Sequence, residues 1–234
     1  MADEGILIFE GMKVGVLPGD FTVEVNSSGS IDSKLILSTA YNVLPIWLRI
    51  AKNQLLKAKQ ASEAISINWG TSDETNRELL VAEIEPSLQI FVACGIVLDG
   101  LYDQLRPFAK LSQTDIQKWK GNRTGRAKQI AEVIRRVYKL NREETTQFKQ
   151  NISEIIHYRD MAVHPSLELR RTYPRSDLPV YVDWKFSAYR YSNAGKCFQA
   201  TLEMFYYLYT KKCTINDVDL QMENIVKALG RVIK

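Results

Sequence analysis

Apolar residues recur every three to four positions along most of this chain, and that spacing predicts a protein built mainly from α-helices. The strongest pattern covers residues 148–163, where the apolar positions fall on one face of a helix that turns about 100° per residue. That face consists of Phe148, Ile152, Ile155, Ile156, Ala162 and Val163. Similar spacing predicts helices over 35–64 with a kink at Pro45, over 86–105 with a start either at Pro86 or near Thr75, and over 125–140, 194–209 and 214–232.

Strand patterns occur near the N-terminus and again near residue 185. Residues 6–9, 13–17 and 21–25 are predicted strands, and Pro18, Gly19 and Asp20 are typical of a turn between the last two. Residues 180–191 alternate apolar and polar side chains, which predicts a strand that can pair with the N-terminal ones. We therefore expect a mainly α protein with a small β element: a β-strand appendage over residues 1–30 and a helical domain over residues 31–234.

The composition is that of a soluble globular protein, with 45% hydrophobic and 25% charged residues. Because no run of about 18 apolar residues is present, we expect no membrane span. The first residues are acidic and lack the features of a secretory signal, so we expect a cytoplasmic location.

Cys94, Cys197 and Cys213 lie far apart and have no histidine at ligand spacing, which argues against zinc or a disulfide framework. Glycine-rich phosphate-binding loops are also missing from the sequence, and we expect no cofactor.

Arg159 falls in the middle of the apolar face of residues 148–163. Burying a guanidinium costs several kcal/mol unless carboxylates or an anion neutralise it, so an acidic partner is expected. Asp99 and Asp103 break the apolar surface of the predicted central helix, and Asp99 falls on the same side as Gly95. We predict that Asp99 or Asp103 contacts Arg159. The alternative is that both aspartates line the solvated end of their helix.

His164 is one of two histidines in the chain and is followed at once by Pro165. A residue before proline is disfavoured in the α conformation, so the helix is expected to end there. His164 would then be free to turn toward Arg159. This would place a fixed cation beside a group that titrates near neutral pH.

The sequence Arg159-Asp160-x-x-x-His164, near the end of a predicted helix, resembles the R-x-x-x-x-H motif of the HEPN superfamily. Asp160 matches the polar residue that follows the arginine in that family. The resemblance is detailed over residues 159–164 and loose over about 35–212. It implies a helical bundle and, for many members, a metal-independent endoribonuclease of toxin–antitoxin, CRISPR-associated or antiphage systems. Other members of the family are inactive modules that bind partners.

Cleavage of RNA by its own 2′-hydroxyl requires a base, an acid and a cation at the phosphate. His164 can serve as base or acid, and Arg159 can hold the phosphate through its planar guanidinium. Asp160 could orient the histidine or simply extend the helix surface. Tyr158 and Ser166 are further candidates to position a phosphate. Since one histidine cannot readily do both proton transfers, the resemblance implies a homodimer whose two motifs form one composite site.

Two basic stretches are candidates for contact with RNA. Residues 118–128 read as a flexible loop in which Trp119 could stack on a base while Arg123 and Arg126 contact phosphates. Arg170 and Arg171 belong to an irregular basic connection over residues 169–178. The net charge of +4 permits nucleic-acid binding without requiring it, and such stretches are often only solvated surface.

A purely structural interpretation of the motif stays open at this point. Arg159 would then be a buried ion-pair residue, and His164 would end its helix by bonding to a backbone carbonyl. The protein would be a HEPN-like module that binds RNA, a nucleotide or a protein partner, such as an antitoxin or a defence protein. Solvent access separates the two interpretations, because a catalytic His164 must be reachable by a phosphate.

Overall fold

The computed structural model describes residues 6–9, 11–164 and 166–233, and it confirms a mainly α fold with a few short antiparallel strands. The chain divides into two compact units, Met1–Val43 and Leu44–Lys234. Residues 31–43, which we expected to open the helical domain, therefore belong to the N-terminal unit.

The N-terminal unit consists of two antiparallel strand pairs. Strand β1 (Met12–Gly15) pairs with β4 (Ser38–Tyr41), and β2 (Phe21–Val25) pairs with β3 (Ile31–Leu35). The side chain of Asn26 accepts hydrogen bonds from the backbone of the β2–β3 turn, where Gly29 has a φ of +78°. The strand predicted at 21–25 is confirmed, whereas residues 6–9 have no regular structure.

The helix predicted over residues 35–64 was placed too early, because β3 and β4 occupy its first part. Ser33, Ser38 and Thr39 separate the apolar residues there, and such a sequence suits a pleated strand better than a helix. Helix α1 begins at Leu44, so Pro45 lies in its first turn. Proline is tolerated at that position and does not kink the helix.

The second unit contains eight α-helices within the described residues. They are α1 (Leu44–Asn68), α2 (Asp73–Leu105), α3 (Gln113–Gly121), α4 (Arg126–Tyr138), α5 (Arg142–Val163), α6 (Trp184–Ala188), α7 (Tyr191–Lys211) and α8 (Asn216–Ile233). One turn of 3-10 helix, Arg106–Phe108, follows α2, and two short strands, β5 (Tyr173–Pro174) and β6 (Tyr181–Val182), lie between α5 and α6.

Helix α2 is the centre of this unit, and α1, α4, α5 and α7 all pack against it. Ser72 caps its start by accepting a hydrogen bond from the backbone of Thr75. It continues through Pro86 without restarting there, since the packing on several sides compensates the backbone hydrogen bond that proline removes. The stretch Asp73–Phe108 is long and apolar enough to cross a membrane, since an 18-residue window in it has a mean hydropathy of 1.6, but 56% of that window is buried within the protein. Such burial is typical of a core helix.

Two further predictions are corrected in this unit. Residues 118–128 were predicted to form a loop, but the first of them form the end of α3. Ser112 and Asp115 stabilise the start of that helix with a reciprocal capping box. The strand predicted near 180–191 is limited to Tyr181–Val182, and it pairs with β5 instead of an N-terminal strand. The strand ends before Asp183. The side chain of Asp183 accepts a hydrogen bond from the backbone N–H of Lys185 and so caps the start of α6.

Candidate active site

Arg159 lies in the last two turns of α5, on the face that packs against α2. Phe148, Ile152, Ile155 and Ile156 of this face are buried, and they fix the rotation of the helix. The side chain of Arg159 is 18% exposed. Its aliphatic stem runs over the backbone of α2 at Gly95, because a glycine there leaves space that a side chain would fill. The apolar face ends short of the prediction, since Val163 is 42% exposed.

Asp99 is the carboxylate that contacts Arg159, and it binds a second arginine as well. Arg159 Nη1 donates to Asp99 Oδ2 at 3.0 Å, while Arg126 Nε donates to Asp99 Oδ1 at 2.6 Å. Asp103 pairs with Arg126, at 3.5 Å from Nη2 to Oδ1. The carboxylate of Asp99 therefore bridges two guanidiniums, which joins α2, α4 and α5 at one point.

Arg126 lies under the aromatic ring of Tyr102, with its guanidinium carbon 3.8 Å from the ring centroid. Burial alone would lower the pKa of Arg126, but the hydrogen bond and charge of Asp99, together with the charge of Asp103, raise it. This side chain therefore stays charged and is directed inward. It is not the freely exposed phosphate contact that the sequence suggested.

Asp160 pairs with its neighbour Arg159 rather than with His164. Its Oδ1 lies 2.8 Å from Arg159 Nε, yet this N–H is buried and makes no hydrogen bond, so the contact is an ion pair only. The backbone oxygen of Asp160 accepts the N–H of His164 at 2.9 Å. Arg159 Nη2 makes no hydrogen bond to any residue that the structure describes, so one nitrogen of the guanidinium has no partner among these residues.

His164 ends α5 as its C-cap residue, with φ −120° and ψ 69°, outside the α region as predicted for a residue before proline. Its side chain is exposed, and its ring makes no hydrogen bond within the described part of the chain. The alternative in which the imidazole bonds to a backbone carbonyl therefore has no support here. His157, about two helical turns earlier, is also exposed.

Tyr158 and Ser166, the two further phosphate candidates, have different surroundings. The ring of Tyr158 is half-buried and packs on Phe91, with 5.4 Å between ring centroids. Its backbone oxygen accepts the hydroxyl of Tyr189 at 2.8 Å, and burial raises the pKa of Tyr189. Ser166 is exposed, and its hydroxyl accepts the backbone N–H of Glu168.

The basic connection after the motif contains one buried arginine that the sequence did not reveal. Arg170 and Arg171 are exposed, and Arg170 lies 5.3 Å from the ring centroid of Trp184. Arg175 is fully buried instead. It donates to Glu83 Oε2 at 2.8 Å and makes two hydrogen bonds to Asp177.

Glu83 also accepts the backbone N–H of Tyr191, so this network holds residues 173–191 against α2. One feature of the sequence could have indicated this buried ion pair. Glu83 lies seven residues before the buried Ile90 and therefore on the same face of α2.

Residues 118–128 keep part of their predicted basic character. Trp119 is half-buried and packs against the hydrophobic core, so it is not an open stacking surface. Arg123 is exposed and has a left-handed backbone, with a φ of 47°. Lys118, Lys120 and Lys128 are exposed too.

Among the described residues, no group of three or more histidine, cysteine, aspartate or glutamate side chains is placed to hold a metal ion. No family model matches the chain, and no curated protein or solved structure matches it either. Fold and site together define a mainly α protein in which α2, α4 and α5 meet at an arginine–aspartate cluster, with an exposed histidine five residues after Arg159 in the sequence.

Proposed function

We propose that this protein is a metal-independent endoribonuclease of the HEPN type, acting through Arg159 and His164. The observation that carries the proposal is the exposure of His164 where α5 ends, five residues after a guanidinium held in place by Asp99 and by packing on Gly95. A fixed cation and an accessible imidazole are what the attack of a 2′-hydroxyl on a phosphate requires.

Each residue has a defined part in the proposed reaction. The Nη2 nitrogen of Arg159 would bind a phosphate oxygen and stabilise the charge that develops on it. His164 would remove the proton of the 2′-hydroxyl or protonate the leaving 5′-oxygen. Asp99 and Asp160 hold Arg159 in position and do not touch substrate. Arg123, Arg170 and Arg171 are exposed cations that would bind flanking phosphates.

A second imidazole would come from a second copy of the chain. Val163, Leu167 and Leu169 lie on both sides of His164 in the sequence and are exposed by 42%, 97% and 98%. Apolar side chains so exposed beside a polar site favour an interface with another copy. We therefore propose a homodimer with a composite site. The resemblance to HEPN proteins further suggests a cytoplasmic defence or toxin–antitoxin protein with a protein partner that restrains it.

The test is cleavage of total RNA and of a short labelled RNA in the presence of EDTA. We expect the parent to leave 2′,3′-cyclic phosphate ends. His164→Ala and Arg159→Ala, shown to be folded, should each lower the rate by about 10²-fold or more. His157→Ala is the matched control, because it removes the other exposed histidine of the same helix and should leave the rate unchanged. An intact RNA after incubation with folded parent protein would refute the nuclease.

A second function is favoured by the charge balance of the cluster. Asp99 and Asp160 already neutralise Arg159, as they would in a purely structural network. An inactive HEPN-like module would bind RNA, a nucleotide or a protein partner without cutting RNA. Binding of RNA by the parent without cleavage would identify this alternative.

A further inference from the structure

A cleft with an excess of positive charge lies away from Arg159, where α4 ends. It has a volume of about 570 Å³ and is formed by the residues after the 3-10 turn, the last turn of α4 and the connection between α7 and α8. Four cationic residues line it: Lys110, Arg135, Arg136 and Lys139. Its apolar lining includes Leu140.

The arginines of the cleft have carboxylate partners, whereas the lysines have none among the described residues. Arg135 and Arg136 share Glu132, each at 2.7 Å, and Arg136 also pairs with Asp115 at 2.9 Å. Lys110 and Lys139 are exposed, and neither pairs with a carboxylate in the part of the chain that the structure describes. Two carboxylates thus offset two guanidiniums, and two ammonium groups remain in excess.

The backbone at both lysines is left-handed, with a φ of 48° at Lys110 and 51° at Lys139. This conformation costs a residue with a side chain roughly 1–2 kcal/mol, and glycine adopts it freely. A lysine at a helix C-terminus recovers only about 0.3–1 kcal/mol from the helix dipole. Glycine at positions 110 and 139 would therefore be at least as stable in this backbone conformation. The need to end a helix does not explain why both positions carry a lysine.

The positive charge also continues out of the cleft along α4. Residues 104–142 contain eleven lysines and arginines but only two acidic residues, and these two are Asp115 and Glu132. Lys128 and Arg135 project within about 20° of each other around the axis of α4, since they are seven residues apart, and Lys139 follows Arg135 by four positions as the C-cap residue of the helix. At about 1.5 Å per residue they form a line of ~16 Å.

We propose that this cleft, with the line of cations that leads to it, binds the phosphates of a single-stranded RNA at a distance from Arg159. A compact anion would satisfy Lys110 and Lys139 but would leave Lys128 unused, whereas a chain of phosphates reaches all three. A groove lined by cations that follows the phosphate backbone is typical of sites for single strands, and we assign a single strand on that ground. The choice of RNA as the polymer rests on the proposed function, and the binding site itself does not require that the RNA be cut.

The experiment measures binding of a 2′-O-methyl RNA of about 12 nucleotides, which cannot be cleaved, by fluorescence anisotropy between roughly 50 and 300 mM salt. The variant is Lys110→Gln with Lys139→Gln. The matched control is Lys57→Gln with Lys196→Gln, which neutralises two exposed lysines of α1 and α7. Thermal unfolding establishes that both are folded. We expect the cleft variant to bind about tenfold more weakly than the parent. The slope of log affinity against log salt should become shallower by ~1.4, because each of the two lost phosphate contacts contributes ~0.7 to that slope. The control variant should match the parent.

The other possible outcomes test the binding site and the nuclease activity separately. Equal affinity and slope for the parent and the cleft variant would overturn the site. Binding of ATP as tightly as the RNA, lost in the same variant, would replace RNA by a mononucleotide. Equal binding of the duplex form would overturn the single-strand assignment. Cleavage of unmodified RNA is measured independently. If the parent binds RNA through the cleft but does not cleave it, the proposed nuclease activity is refuted and the proposed binding site is supported.

Discussion

At the scale of single residues, Gly95 shows how closely α2 and α5 approach at the candidate site. A Cβ atom at this position would lie 2.5 Å from Cγ and 2.9 Å from Cβ of Arg159. The Cβ atom cannot swing aside unless the helix moves. We expect Gly95→Ala to lower the free energy of unfolding by about 1–3 kcal/mol, as overpacking does, even though alanine favours helices. Urea unfolding measures the change, and RNA cleavage should fall with it.

Gly230→Ala is the control for this prediction. Gly230 also lies inside a helix, α8, but a Cβ atom there would have no neighbour within 4 Å in the described part of the chain. Alanine should therefore stabilise the protein by roughly 0.5–1 kcal/mol through its helix propensity. If Gly95→Ala were as stable as the parent, the close packing of Arg159 on α2 would not hold.

The arginine–aspartate cluster shows what residue-level reasoning from the sequence can reach. Asp99 could be found because a carboxylate on an apolar helix face needs a cation, and Arg159 stood out for the converse reason. Arg126 could not be found in this way, since it follows a glycine-rich stretch in which cations look solvated. Arg175 was hidden likewise among exposed arginines. Only the tertiary contact separates a buried cation from its exposed neighbours.

At the scale of elements, Glu144 links the start of α5 to the end of α7. It belongs to the capping box of α5, its carboxylate accepts from Lys211 Nζ at 2.6 Å, and it also accepts from the hydroxyl of Tyr207. These hydrogen bonds, that of Lys211 first, lower the pKa of Glu144 to about 2. A folded-state pKa below the unfolded value stabilises the protein above about pH 4.5, and this contribution is lost as the pH falls toward 2.

We therefore expect Glu144→Gln to be less stable than the parent at pH 6 and to lose less stability between about pH 4.5 and 2. Thermal unfolding across this range measures the difference. Glu143→Gln is the control, because Glu143 lies in the same helical turn, is exposed and makes no ion pair among the described residues. Parallel pH curves for Glu144→Gln and the parent would contradict the assigned link.

The elements that the sequence predicted well are those with a continuous apolar stripe. The predicted helices over 125–140, 194–209 and 214–232 correspond to α4, α7 and α8 within a few residues. Errors occurred where short cues conflict. Residues 182–186 alternate like a strand, but Asp183 caps a helix, and α6 begins at Trp184. Pro86 suggested a break that the packing around α2 overrides. Alternation over a few residues does not specify a strand when a capping residue interrupts it.

At the scale of the whole molecule, the modest net charge of +4 hides a strong separation of charge. Residues 104–142 carry an excess of nine positive charges, so the rest of the chain is acidic on balance. Overall charge would therefore underestimate the attraction of this region for a polyanion. Because exposed charges are screened by salt, any binding there is expected to weaken steeply as salt increases.

The composite site makes a prediction for the assembled protein. The proposed reaction needs two proton transfers, and each chain offers one exposed histidine at the end of α5. If both His164 side chains serve one site, a dimer of one parent subunit and one His164→Ala subunit should retain less than about 1% of the parent rate, because general acid or base catalysis contributes about 10²–10⁴-fold. Two independent sites would instead leave half of the rate.

The measurement uses two affinity tags to isolate mixed dimers and light scattering to verify their mass. A mixed dimer of parent and His157→Ala subunits should cleave RNA like the parent, which controls for tags and mixing. Leu167→Glu with Leu169→Glu should abolish both dimer and cleavage, because these leucines are nearly fully exposed beside His164. Half activity in the parent/His164→Ala dimer, or a cleaving monomer, would show that one chain carries a complete site and that the second proton transfer uses another group.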